Sequence, residues 1–160
     1  MVEMVVAMAV LAIALLALAA GFEEGALATR SAGSKTVAAT IADKQMELYG
    51  GLVYSSIGLD STTVTNTKTS GNGSYDATWV TDDASLSGTE VNTSCGSSAN
   101  CLPVQTTTGS NGHSYKIETF VHDVTNVGTR TERIVTVLVR DLSQTGSPEV
   151  MRLTAGFDAG

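Results

Sequence analysis

The sequence MVVAMAVLAIALLALAA, from Met4 to Ala20, is an uninterrupted run of apolar residues. Gly21 and Phe22 extend it to 19 residues, and a helix of that length measures ~28 Å, close to the hydrocarbon thickness of one bilayer. Nineteen of the first 20 residues are apolar, and the exception is Glu3. Because so much apolar surface lies at one end of the chain, it cannot all enter the core of one globular domain. The segment needs another apolar environment.

Three interpretations of this segment are open. A secretory signal peptide needs a positively charged start, whereas the first cation of the chain is Arg30. A single-span membrane anchor accounts for the apolar run but leaves the carboxylate of Glu3 beside hydrocarbon without a partner. A helix that is anchored in the membrane before assembly and packed among other helices afterwards gives Glu3 a role, because a neighbouring chain can supply the cation. The residues favour this third interpretation.

The helical pattern continues beyond the apolar run. No proline interrupts residues 23–49, so we predict one helix of about 48 residues, ~72 Å long, within residues 1–50. Its second half is amphipathic, since apolar or small residues recur at steps of three and four. The apolar stripe is formed by Val37, Ala38, Ile41, Ala42 and Gln45, and the polar face by Lys35, Asp43, Lys44 and Glu47. Residues 1–22 are predicted to form the transmembrane or filament-core segment.

The first 18 residues, MVEMVVAMAVLAIALLAL, resemble the N-terminal assembly segment of type IV pilins and the related type II secretion pseudopilins. The likeness is strongest over residues 1–22 and looser over residues 41–49. It implies that Glu3 matches the family glutamate that pairs with the N-terminal amine of a neighbouring subunit, and that Met1 is a candidate for the N-methylated first residue. That glutamate is normally fifth in the mature chain and is third here, so either the mature chain begins two residues before Met1 or the spacing is altered in this subunit.

The resemblance also implies a function. Many bacterial pilins carry a helix-loosening proline near the end of the apolar segment, and the likeness implies that Gly21 and Gly25 take that role here. The implied protein is a structural subunit that is anchored in the inner membrane and then polymerised by the pilus assembly machinery. The product is a helical filament of identical subunits on the bacterial cell surface. Adhesion, surface motility and DNA uptake are roles of such filaments, and these residues do not choose among them.

Two alternatives to a major pilin stay open. A minor pilin or a type II secretion pseudopilin shares the assembly features and differs in stoichiometry. A single-span membrane-anchored protein whose head binds a ligand belongs to another class. Neutralising Glu3 separates the two classes, because fibre assembly depends on that carboxylate only in the pilin interpretations.

The remaining residues, 51–160, predict a small β-rich head. Residues 52–110 are rich in Ser, Thr, Gly and Asn, which indicates exposed loops. One strand is predicted at Tyr75–Thr81, where Tyr75, Ala77 and Trp79 share a face.

The last fifty residues alternate regularly between two faces. They predict three antiparallel strands, at Tyr115–His122, Arg133–Arg140 and Glu149–Asp158. Turn residues precede or separate them: Asn111 and Gly112, Asn126 and Gly128, and Gly146, Ser147 and Pro148. We expect the helix to cover this sheet through Val37, Ile41 and Leu48. The predicted fold class is therefore α+β, a long N-terminal helix packed on an antiparallel sheet.

Charge and cysteine content narrow the partners. Nine Lys and Arg residues against 16 Asp and Glu residues give a net charge of −7, which disfavours direct binding to nucleic acid. Cys95 and Cys101 are the only cysteines. In a protein outside the cytoplasm they predict a disulfide that staples a surface loop, with free thiols as the alternative.

No group of residues predicts catalysis, a cofactor or a metal. His113 and His122 lie on a predicted turn and strand without a nucleophile or ligand pattern, so we expect exposed structural histidines. Asp82, Asp83 and Glu90 lack the alternating spacing of a calcium loop, which favours a solvated turn. We therefore expect a protein that is not an enzyme.

Overall fold

The computed structural model describes residues 2–94, 98–99, 101–125 and 131–158. Helix α1 is followed by a 3₁₀ turn at Tyr54–Ser56, one short strand, two short helices, two further short strands and then four longer strands. Their bounds in chain order are α1 Val2–Gly50, β1 Leu59–Asp60, α2 Ser61–Lys68, α3 Ala77–Ser85, β2 Thr89–Glu90, β3 Asn92–Thr93, β4 Val104–Thr108, β5 Ser114–Thr125, β6 Thr131–Asp141 and β7 Glu149–Asp158. The fold class is α+β, as predicted.

Helix α1 is continuous over 49 residues, which confirms the prediction of a single long helix. Alanine and leucine dominate its first half, and both residues favour helix. Every described residue from Val2 to Gly33 is exposed, and Ser34 is the first buried one. About 32 residues, ~48 Å of helix, therefore project away from the head.

The antiparallel sheet is built around β5 and β6, which pair along eleven residues from Tyr115↔Asp141 to Thr125↔Thr131. Strand β7 pairs with the other side of β6, while β4 and β2 pair with successive halves of β5. The three predicted strands are confirmed. Turns at Gly112 and Gly146 have φ of 78° and 81°, a region that favours glycine, and the predicted turn residues Asn126 and Gly128 lie outside the described residues.

The segment predicted to be mostly loop contains two helices. Asp60 caps α2 by accepting a hydrogen bond from the N–H of Thr63, and Asp76 caps α3 by accepting from the N–H groups of Thr78 and Trp79. The strand predicted at Tyr75–Thr81 is wrong, because this cap starts a helix that turns Trp79 inward. Strands β1 and β3 add a short parallel pair.

One face of the sheet packs against α1. Its buried residues alternate along β5 and β6, and they are Tyr115, Ile117, Thr119, Val121, Val135, Val137 and Val139. The helix contacts this face through a stripe of mostly small buried residues, namely Ser34, Ala38, Ala42, Gln45 and Tyr49. Val37 and Ile41 were predicted to cover the sheet, and they are half-buried at the edge of this contact. Leu48 is 39% exposed, so the prediction that it covers the sheet is wrong, because small residues let the helix axis approach more closely on the other stripe.

The opposite face is covered by α3. The ring of Trp79 stacks on Phe120 with centroids 5.2 Å apart, and its Nε1 donates to the carbonyl of Thr119 at 3.1 Å. Glu118 on this face is fully buried, where it contacts Lys116 and Arg140 at 2.8 Å and 2.7 Å. A buried carboxylate is tolerated when cations and hydrogen bonds satisfy it, as they do here.

Candidate assembly site

The exposed half of α1 contains the apolar run. In the described part of the chain, α1 is the one helix long and apolar enough to cross a membrane. Its most apolar 18-residue window has a mean hydropathy of 2.7, and none of that window is buried. An exposed helical segment this apolar is compatible with membrane anchoring or with a signal sequence.

Glu3 lies in the first turn of this helix, at its exposed end. The nearest lysine or arginine along the chain is Arg30, about 40 Å away at the rise of an α-helix. No cationic side chain of the same helix can therefore reach Glu3, so a cation beside this carboxylate has to come from outside α1. Met1, the other residue predicted for assembly, lies outside the described residues.

Gly21 and Gly25 lie at the end of the apolar run. The helix is regular through both, and a Cβ added at either position would meet no atom within 4 Å. Steric contact in the single chain therefore does not require glycine there. Their role in loosening the helix stays a prediction.

A buried hydrogen-bond cluster fixes the point where α1 leaves the head. Ser34 Oγ donates to Asp141 Oδ2 at 2.9 Å and lies 3.0 Å from the hydroxyl of Tyr115. Asn111 donates to that hydroxyl from the β4–β5 turn at 2.8 Å. Because these partners come from α1, β5, β6 and a turn, the cluster sets the direction of the projecting helix relative to the sheet.

Asp141 is the anionic centre of this cluster and is fully buried. Burial by itself raises a carboxyl pKa, but hydrogen bonds from Gln144, His113, the N–H of Ser143 and Ser34 outweigh it and lower the pKa of Asp141 to about 2. The carboxylate is therefore ionised at neutral pH and holds four donors together.

Arg133 fastens the segment that follows α1. Its guanidinium donates to both carboxylate oxygens of Asp123 at 2.8 Å and 2.9 Å. It also donates to the carbonyls of Tyr54 and Ile57 and lies 4.5 Å from the centroid of the Tyr54 ring. Bidentate pairing with stacking is a geometry that lysine cannot reproduce, so this residue ties the segment after α1 to β5 and β6.

The histidines and acidic residues have structural partners. His122 is buried with Nε2 3.1 Å from Asp83 Oδ1, so the expectation that it is exposed is wrong, because α3 covers its strand. Asp83 and Glu90 both pair with Lys68, which corrects the predicted solvated turn. His113 is partly exposed, and its Nδ1 lies 3.1 Å from Asp141 Oδ2.

A metal site would need a cluster of ligating side chains. The described residues contain no group of three or more His, Cys, Asp or Glu that could hold a metal ion. Asp82, next to Asp83 in α3, pairs with Arg140 instead. These acidic residues therefore serve to attach α3 to the sheet.

Cys101 is buried and disulfide-bonded. Its backbone carbonyl accepts a hydrogen bond from the N–H of Asp60 at 2.9 Å, which attaches this residue to β1. Cys95, the predicted partner, lies outside the described residues, so the pairing stays a prediction.

Sequence reasoning missed the residues that orient the helix. Ser34 continues the stripe of Ala38 and Ala42 by one step of four, and that spacing was the available signal.

Comparisons with protein-family models, with curated proteins and with solved structures find no match to this chain.

Proposed function

We propose that this chain is a structural subunit that polymerises through its N-terminal helix into an extracellular filament of the type IV pilus class. One observation carries the proposal. An apolar helix of membrane-spanning length projects from a folded head with none of its most apolar window buried, and it begins with a carboxylate that α1 itself cannot neutralise. A head-to-tail polymer meets both needs, because a neighbour supplies apolar helix surface and a cationic amine.

Apolar burial alone does not drive this assembly. Lipid is already as apolar as the side chains, so leaving the bilayer for a helix bundle gains little from the hydrophobic effect. Close packing between alanines and the pairing of Glu3 with an amine therefore decide the balance. In this proposal the role is structural and not catalytic, and the subunit waits in the inner membrane for the assembly machinery.

The test neutralises the charge with the Glu3→Gln variant in cells that make fibres. We expect the yield of sheared fibres to fall by at least about tenfold, since an unpaired buried amine costs several kcal/mol, while the amount of subunit in the membrane stays unchanged. The matched control is Glu47→Gln, which neutralises an exposed carboxylate of the packed half of α1 and should leave the yield unchanged.

Three results would assign the chain differently. Unchanged fibre yield with Glu3→Gln overturns the role of this carboxylate in assembly. Fibres in which the chain is a trace component indicate a minor pilin or a secretion pseudopilin. A chain that stays with the membrane and enters no fibre is a single-span anchored protein, for which the apolar helix alone is sufficient.

A further inference from the structure

A groove with a volume of about 480 Å³ lies between the packed half of α1 and strand β4. Two contacts hold its walls in place. At the β4–β5 turn, Gly109 lies so close to the helix that a Cβ there would be 2.6 Å from Val37 Cγ1. Further along, Gln45 and Gln105 both donate to the carbonyl of Ala99, at 2.9 Å and 2.7 Å. The helix and the strand that form the groove are therefore held in place by contacts within the head.

The helix wall of this groove has the spacing of a coiled-coil seam. Val37, Ile41, Lys44 and Leu48 line it at steps of four, three and four, a pattern that accepts the side chains of a second helix. Lys44 is the one charged side chain among the described residues that line the groove. It forms no ion pair with a described residue. A single lysine in such a seam selects the register and charge of its partner.

The exposed helix from the end of the apolar run to the head, residues 22–33, is here called the neck. Its Phe22 and Leu27 are 72% and 64% exposed. Glu23 and Glu24 are the only acidic residues between Glu3 and Asp43. The start of the neck thus offers apolar side chains and two adjacent carboxylates, six residues before its one cation, Arg30. They complement the apolar wall and the lysine of the groove.

We infer that the groove of one subunit receives the neck of a second copy, with Glu23 or Glu24 against Lys44 and the apolar side chains of the neck against Val37, Ile41 and Leu48. The inference rests on the proposed function, since it names the contact through which one subunit follows another. Glu24 and Lys44 are 20 positions apart, so two parallel helices in this register are displaced by ~30 Å along their axes.

Groove and neck are different surfaces of the chain, so their contact is heterologous. Each subunit that fills a groove with its neck still presents its own empty groove, and repetition yields an open filament. In this register the ~18 Å neck of the second copy lies beside the head of the first copy. The head of the second copy therefore lies beyond the head of the first. The contact thus fixes how far neighbouring subunits are displaced along their helices, in addition to the pairing of Glu3.

The first test is a charge swap in cells that make fibres. Lys44→Glu places like charges together, and we expect fibre yield to fall at least about tenfold. Combining it with Glu23→Lys and Glu24→Lys restores opposite charges, and the yield should return to within about threefold of wild type. The matched control is Lys35→Glu, an exposed cation of α1 outside the groove, which should leave the yield unchanged.

The second test is a photo-cross-link from the groove in assembled fibres. Benzoylphenylalanine in place of Thr107, which lines the groove, should yield a cross-linked peptide that contains residues 22–27 of another copy. The same group in place of Asn72, an exposed residue of the α2–α3 turn, should not yield that peptide. The cross-link decides the case in which the charge swap fails to restore assembly.

The results separate this inference from the function on which it rests. Loss of fibres with Glu3→Gln and normal yield with Lys44→Glu overturn the groove contact and leave the filament intact. A cross-link to another protein, to a small apolar ligand or to a different part of α1 gives the groove another occupant and overturns the inference. Absence of wild-type fibres overturns the proposed function and this contact together.

Discussion

The two halves of α1 both carry alanine, but they present it to different surroundings. In the packed half, Ala38 and Ala42 are completely buried against the sheet. In the projecting half, alanines such as Ala12 and Ala14 are exposed along with the leucines around them. Alanine lets helices and sheets approach closely in either setting, so its presence does not reveal which partner it meets.

The two halves of one helix therefore differ in what they pack against. The packed half finds its partner in its own sheet, and its contacts contribute to the stability of the head. The projecting half has no partner among the described residues of the chain, so a partner for it has to come from outside those residues. Substitutions in the two halves should therefore separate folding from assembly.

The largest expected effect comes from enlarging the packed alanines. Ala38→Leu and Ala42→Leu each force side chains into a filled contact, and we expect a loss of about 1–3 kcal/mol of head stability per substitution. The readout is thermal unfolding of the full chain in detergent, followed by the fluorescence of Trp79, the single and fully buried tryptophan.

The control is Ala12→Leu in the projecting half. This position is exposed, so the unfolding temperature of the head should not change, while fibre yield should fall if the alanine meets another helix. Equal unfolding temperatures for Ala42→Leu and the wild type would contradict the close contact between α1 and the sheet.

The second effect concerns Ser34, the residue at the boundary between the halves. Ser34→Ala removes one hydrogen bond to the buried carboxylate of Asp141, which keeps its other donors, and we expect a loss of about 1–1.5 kcal/mol of head stability. Ser31→Ala, three residues earlier and exposed, should change stability by less than about 0.5 kcal/mol. Equal effects from both variants would move the boundary away from Ser34.

Long periodic patterns made most of this fold predictable. Helix α1 and strands β5 to β7 each repeat one pattern over ten residues or more, so tertiary contacts had little to override. The short elements were harder, because Tyr75, Ala77 and Trp79 alternate as in a strand while Asp76 is a strong helix cap. In α3 the cap and the stacking of Trp79 on Phe120 decide in favour of helix.

The candidate site was predictable only where it depends on composition. The apolar run and the isolated acid Glu3 are visible in the sequence, whereas the cluster around Asp141 joins residues as distant as 34 and 141. Leu48 looked like a packing residue because it is large and apolar, yet it lines the groove. Sequence periodicity identifies apolar stripes on a helix, but it does not say which stripe the chain itself covers.

The third effect is the pH dependence of the stability of the head. Because hydrogen bonds lower the pKa of Asp141 to about 2, well below the usual range of an aspartate, folding favours its ionised form. Its contribution to stability is fully present above about pH 4 and is lost as the pH falls towards 2. The measurement is unfolding by denaturant between pH 2 and pH 5.

The variant Asp141→Asn isolates this contribution. It should flatten the dependence of the free energy of unfolding on pH between 4 and 2, although Asp76 and Asp83, whose pKa values are also lowered, keep part of the slope. Asp43→Asn, at an exposed carboxylate of α1, should leave the slope as in the wild type. A steeper slope with Asp141→Asn would reverse the sign assigned to this group.

The smallest effect concerns the two glycines of the projecting half. Glycine in a helix interior costs up to about 1 kcal/mol relative to alanine, and a Cβ at Gly21 or Gly25 meets no atom within 4 Å. Alanine at either position should therefore slow amide hydrogen exchange around it by about fourfold in lipid vesicles without changing the stability of the head.

Gly33 provides the comparison for this measurement. It is equally open to a Cβ but lies beside Ser34, where the head already holds the helix, so Gly33→Ala should change local exchange less than Gly21→Ala. Equal slowing at Gly33 and Gly21 would mean that the end of the apolar run is no looser than the rest of the helix. Greater slowing at Gly21 and Gly25 would place the flexible point at the end of the apolar run.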